Sequence, residues 1–311
     1  SDFDGTSTDL ASGSIASARA SYDTTTGAGD AFAHDIQMGG LDSSWVDVNT
    51  LDLDDAGVKY GRSDAGSSVE MSARRAKTDG LAIDTPTKPE GPQQPGAPLD
   101  WSANFGAVDM TDTQAAGAGI ESVTARGLRA SGHADGLTST YGAHADEAAI
   151  TGLSHDLIRA DGLSGTNTSL TGDAHSVGIG ADHIKGSGIS ANNVAVGEVD
   201  GWGLDASVGQ GAGALSLDRA RMSDALLADR LSVASGSVDG LTASRADGQN
   251  TVSIDSAAVS GVADSVTGMR LGEATLHDAR TLGTPDVFES TVGNASLRDL
   301  SAPGLGVGQA D

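Results

Sequence analysis

The 311-residue chain contains no cysteine, which excludes a disulfide framework, a thiolate metal site and a cysteine nucleophile. Aromatic residues make up only 3% of it. A globular core of this length usually buries many aromatic side chains, so any core here has to be narrow and built from Ala, Val, Ile and Leu. Glutamate and lysine are scarce too, with 36 Asp against 7 Glu and 14 Arg against 4 Lys. Glu and Lys favour helices whereas Asp and Gly favour turns, so the bias points to a turn-rich, helix-poor chain. No apolar stretch approaches the roughly 20 residues that span a bilayer. The opening SDFDGTSTDLASG lacks the charged and apolar regions of a signal peptide. A soluble chain without membrane insertion is expected, in no assignable compartment.

Positive charge is also in short supply, and the net charge is −25. Like charge repels, which argues against direct binding to nucleic acid or an anionic membrane and leaves protein partners, cations or plain solubility. High charge with few aromatics also describes disordered chains, so order has to be argued from pattern.

That pattern is a spacing of five. In IGADHIKGSGISANNVAVGEVDGWGL the aliphatic residues are Ile179, Ile184, Ile189, Val194, Val199 and Leu204. An amphipathic helix repeats near 3.6 and a half-buried strand at 2, so neither template fits. After short slips the register continues backwards through Leu163, Ile158, Leu153, Leu128 and Val123. Forwards it resumes as Val266, Leu271 and Leu276, then Val287, Val292 and Leu297. A repeat this short cannot bury its apolar residue alone, so successive units are expected to stack on one column formed by these residues. Five residues make one short side, and four sides close a turn of about 20 residues with coils ~4.8 Å apart. The expected fold is all-β, a parallel β-solenoid, with a quadrilateral β-helix favoured and two- or three-sided coils open.

At this point the chain resembles the pentapeptide-repeat family, through units such as Ala274-Thr275-Leu276, Ser290-Thr291-Val292 and Ala295-Ser296-Leu297 within residues 103–302. The resemblance implies a right-handed quadrilateral β-helix. It also implies a possible activity, since some acidic members imitate DNA and bind type II topoisomerases such as DNA gyrase.

Five of the seven prolines, Pro86, Pro89, Pro92, Pro95 and Pro98, recur every third residue, the period of a polyproline II helix. They predict a semi-rigid linker over 86–99 between a repeat block at 1–85 and the main block at 100–311. One stretch, DRARMSDALLADRL at 218–231, also suits a short helix capped by Asp218.

Several motifs invite an enzymatic reading. DFDGT at residues 2–6 resembles the nucleophile motif of the haloacid-dehalogenase phosphatases, and LDLDDAG at 51–57 their metal-binding acids, but the flanking α/β pattern is missing. His133, His144 and His155 recur every eleven residues, which coils of about 20 residues would not bring onto one row. TGAGD and MGGLD are fragments of a calcium-binding glycine repeat without its full pattern. GIGADHIKGSG lacks P-loop spacing. Glycan-binding or glycan-cleaving β-helices need paired acids and aromatics, whereas Trp45, Trp101 and Trp202 are scattered. No catalytic, cofactor or metal site is expected. The expected function is a non-enzymatic structural or adaptor rod, meeting other assembly subunits or copies of itself. The alternatives are the topoisomerase-binding DNA mimic and the glycan β-helix.

Overall fold

The computed structural model describes residues 9–42, 46–63, 66–83, 98–115, 117–135, 138–246, 248–284, 288–303 and 305–310. Every regular element in them is a β-strand. The chain divides into two compact units, Ser1–His155 with Ser169–Ala174, and Asp156–Thr168 with His175–Asp311; the division falls inside strand β10 (Arg159–Asp173).

The first unit holds β1 (Asp9–Asp23), β2 (Ala28–Asp42), β3 (Val46–Asp54), β4 (Ala56–Ser63), β5 (Gly66–Asp79), β6 (Ala82–Ile83), β7 (Leu99–Ala115), β8 (Ala118–Ala134) and β9 (Ser139–Ser154). β3 and β4 act as one strand broken at Asp55, since both pair with β2 and with β5. β5 and β6 pair in parallel with β7. A parallel connection needs a crossover of a dozen or more residues, and the proline-rich segment supplies it. Most of the expected linker, residues 86–97, lies outside the described residues. Its end is fixed by Ser67, whose amide donates to the Pro98 carbonyl at 2.8 Å.

The second unit continues with β11 (Ser176–Ala191), β12 (Val194–Gly209), β13 (Ala212–Leu227), β14 (Leu231–Ala246), β15 (Gln249–Asp264), β16 (Arg270–Gly283), β17 (Phe288–Ala302) and β18 (Leu305–Ala310). Each strand from β11 onward pairs antiparallel with the next. The expected parallel coils are therefore replaced there by a meander, and among the described registers parallel pairing is found at β5–β7 and β6–β7. The reason is local: the two-residue connections Asn192-Asn193 and Gln210-Gly211 reverse the chain, with Asn192 at φ 50° and Gly211 at φ 75°, the positive φ that tight hairpins require. The stretch that suited a helix is strand β13 followed by a turn, in which Ala228 and Asp229 have φ 51° and 53°.

The spacing of five survives with a different cause. Side chains alternate within a strand, but each long strand passes two positions where the ladder is interrupted and the pleat changes phase. In β11 these are Asp182 and Gly188, the latter at φ 56°. Apolar residues thus run Ile179, Ala181, Ile184, Gly186, Ile189, Ala191, in steps of two within a segment and three across an interruption. Two plus three gives five. Contacts follow the same geometry: a Cβ built on Gly186 would lie 2.6 Å from Ile189 Cδ1. The apolar face alternates large with small, so that Ile184 faces Gly201 and Met222 faces Gly236 across neighbouring strands. Burial is greatest next to the interruptions and falls to small residues, such as Ala145 in the first unit and Ala181, Ala225 and Val233 in the second.

Candidate functional site

The interruptions line up. In the second unit Gly188, Asp224, Gly261 and Asp299 fall on one line across β11 to β17, and Gly203, Gly240 and Asp278 on another, each with φ between 53° and 65°. Left-handed backbone costs an ordinary L-residue about 1–2 kcal/mol, and Gly, Asn and Asp bear it best. Among the described non-glycine residues with positive φ, all but Ala228 are Asp or Asn. Each kinked glycine also faces a side chain on the adjoining strand: Asp161 lies across Gly188, Asp218 across Gly203 and Asp255 across Gly240, and a Cβ on any of these glycines would strike the carboxyl group. The first unit repeats the arrangement with Asp146 across Gly127 and Glu121 across Gly152.

Between the two lines of the second unit, the polar face carries a row of directly opposed residues: His183, Trp202, Arg219, Asp239, Ser256 and His277. The His183 and Trp202 rings stack at 4.9 Å, and the Arg221 guanidinium sits 5.8 Å over the indole. His183 Nε2 and Asp200 Oδ1 are hydrogen-bonded at 2.6 Å. Arg219 Nε donates to Asp239 Oδ1 at 2.9 Å, and Ser256 Oγ donates to Asp239 Oδ2 at 3.0 Å. The Arg219 bond, followed by that of Ser256, holds the Asp239 carboxyl below the usual carboxylate range. The Ser256 hydroxyl is thus committed as a donor to Asp239.

Elsewhere acids are held in the same way. Arg74 donates to Asp55 Oδ2 at 2.8 Å, and His34 Nδ1 meets Asp55 Oδ1 at 2.5 Å; Arg74 first and His34 second lower the Asp55 carboxyl. Arg74 Nη2 also reaches Asp54 Oδ2 at 3.4 Å, so two of the three LDLDDAG acids are engaged. Asp264 accepts from Arg230 Nε at 2.8 Å and Nη2 at 2.5 Å, and from the Val266 amide at 2.8 Å. Burial raises its carboxyl, but the Arg230 bonds outweigh that and hold it far below the usual range.

The histidines spaced by eleven are not gathered. His133 bonds Asp100 at 2.7 Å, His144 lies 3.5 Å from Asp146, and His155 is beside Gly117. Among the described residues no group of three or more His, Asp or Glu has a geometry that could hold a metal ion. DFDGT and Trp45 lie outside the described residues. Trp101 lies against Gly132 in the first unit, and Trp202 contacts His183 and Arg221 in the second.

Of the residues assigned to the column, Val123, Leu128, Leu153, Leu163, Ile184, Ile189, Val199, Leu204, Leu271 and Leu276 are half-buried. Ile179, Val194, Val292 and Leu297 are more exposed, and Ile158 and Val266 lie in connections, Val266 at 73% exposure. Val287 is outside the described residues. The row centred on Asp239 and the Arg230–Asp264 pair carry no sequence signal, because their members are brought together only by strand register.

No family model matches the chain, and neither a curated protein nor a solved structure matches it.

Proposed function

We propose that the chain is a non-enzymatic structural module in which one kinked strand is one repeat, each unit being a solenoid-like stack of such repeats that assembles with further copies of itself. The observation that carries this reading is the repetition: strand after strand presents the same apolar steps of two and three on one face and pairs of aspartate with glycine at its kinks. The polar face supports it, because charges and hydroxyls on it bond across strands, as in Arg219 to Asp239, Ser235 to Ser260 and Thr275 to Ser296. Sedimentation velocity over a range of protein and salt concentrations tests the proposal. The expected result is species heavier than the 30.8 kDa monomer that grow with salt, as repulsion between chains of net charge −25 is screened. A monomer at every concentration and salt overturns it.

A second reading, the DNA mimic, is favoured by one specific feature. Asp182, Asp218, Asp255 and Asp278 fall on a single line across β11 to β16. An acidic line of this kind is what a surface imitating a phosphate backbone needs.

A further inference from the structure

We propose that β1 is a self-pairing edge, through which two copies of the chain join their sheets by antiparallel β1–β1 pairing about a two-fold axis; the inference deepens the structural reading above by naming the surface and the partner. β1 pairs antiparallel with β2 along its whole length, and every residue from Leu10 to Asp23 is exposed. Among the described residues its outer edge therefore presents a row of amides and carbonyls without a partner strand, a template that proteins normally block with lysine, proline, inward charges or a very short strand. None of these devices is present: LASGSIASARASY, between Asp9 and Asp23, has no proline, no lysine and no acid, and its one charge is Arg19. The apolar side chains beside the open edge are bare, with Leu10 50%, Ile15 56% and Tyr22 66% exposed, while their β2 partners Leu41, Ile36 and Gly29 are half-buried.

Charge selects the occupant. Two chains of net charge −25 repel over most of their surfaces, but this strand is slightly basic between its terminal acids. One register satisfies the packing. Placing Ser14 opposite the partner's Ser14 sets Ile15 against the partner's Gly13 and Leu10 against the partner's Ala18, with their apolar faces on the same side of the joined sheet. A large side chain facing glycine on the next strand is the packing that Ile184 with Gly201 and Met222 with Gly236 already use. Gly13 has room for it, since the nearest atoms to a Cβ built there are Leu10 Cδ2 at 3.5 Å and the Gln37 carbonyl at 3.7 Å.

The absence of native cysteine makes the test direct. In Ser14→Cys the two thiols flank the two-fold axis, where opposed Cα atoms are about 4.5–5.5 Å apart, within disulfide range. In Ser17→Cys they are offset by six residues along the strands, roughly 20 Å. Both full-length variants, with circular dichroism matching the parent chain, are oxidised mildly in high salt. The expected result is a covalent dimer of doubled mass for Ser14→Cys and none for Ser17→Cys. Equal cross-linking of the two, cross-linking of Ser17→Cys alone, or none in either overturns the proposal. Heavy species in sedimentation without the Ser14 cross-link overturn β1 pairing alone and leave the structural reading standing, whereas a monomeric chain removes both.

Discussion

At a kink, the identity of the residue is decided by two separate demands. The backbone has to sit at positive φ, and the position has to leave room for the carboxylate reaching across from the next strand. Gly188 meets both, at φ 56° with Asp161 over it; Gly211 meets only the first, at φ 75° with nothing within 4 Å of a Cβ. Comparing alanine at the two sites separates the demands. Gly211→Ala is expected to cost about 1–2 kcal/mol, the strain of left-handed backbone alone. Gly188→Ala adds the displacement of Asp161 and is expected to cost about 1 kcal/mol more, in the range of a disrupted packing contact. Urea denaturation midpoints read the difference. Equal losses would mean that the carboxylate moves aside freely and that its position over the glycine is incidental. The same demands explain part of the excess of Asp over Glu, because the shorter side chain is the one that tolerates positive φ.

At the scale of the strand, the sequence carried the step but not the direction. Ile179, Ile184 and Ile189 are five apart whether each five-residue side belongs to a parallel coil or to an antiparallel strand whose pleat shifts phase twice. The deciding signal lay in Ala191-Asn192-Asn193-Val194, two turn-forming residues between apolar residues three apart, which is hairpin grammar. The kink lines and the row through Asp239 stayed hidden for a different reason. Asp218 meets Gly203, and Arg219 meets Asp239, only once the register of three strands is known, and no local pattern sets it. Connections have their own chemistry. Arg230, in the turn after β13, pairs with Asp264 at the end of β15, which is 8% exposed and also caps the turn into β16. The folded Asp264 carboxyl titrates below its unfolded value of about 3.9. Its contribution to stability is therefore present above that value and is lost as pH falls through and below it. Asp264→Asn should unfold at lower temperature than the parent at pH 7, and the gap should narrow steadily from about pH 4 downward. A gap that is constant with pH would show that the charge of Asp264 has no part in holding the turns.

For the whole molecule, the open question is whether the acidity is a binding surface or a by-product of the kinks. The kink geometry already calls for Asp beside Gly, so acids line up without any partner to select them. Density separates the two explanations. On the line from β11 to β16, four acids, Asp182, Asp218, Asp255 and Asp278, span five strand spacings, or about 24 Å at ~4.8 Å each. One strand of duplex DNA places about seven phosphates over that length, at 3.4 Å of axis per nucleotide. The first three acids lie on alternate strands, so the line is both sparser and less even than a phosphate backbone. One of its acids is also engaged within the sheet, since Asn167 Nδ2 donates to Asp182 at 2.5 Å. DNA gyrase supercoiling provides the assay. The structural reading expects no inhibition by the chain at micromolar concentration in low salt, and no difference when Asp182, Asp218 and Asp255 are all changed to Asn. Inhibition that weakens as salt rises and disappears in the triple variant would instead make the acidic line a binding surface, because charge contacts over several ångströms are what salt screens and amide replacement removes.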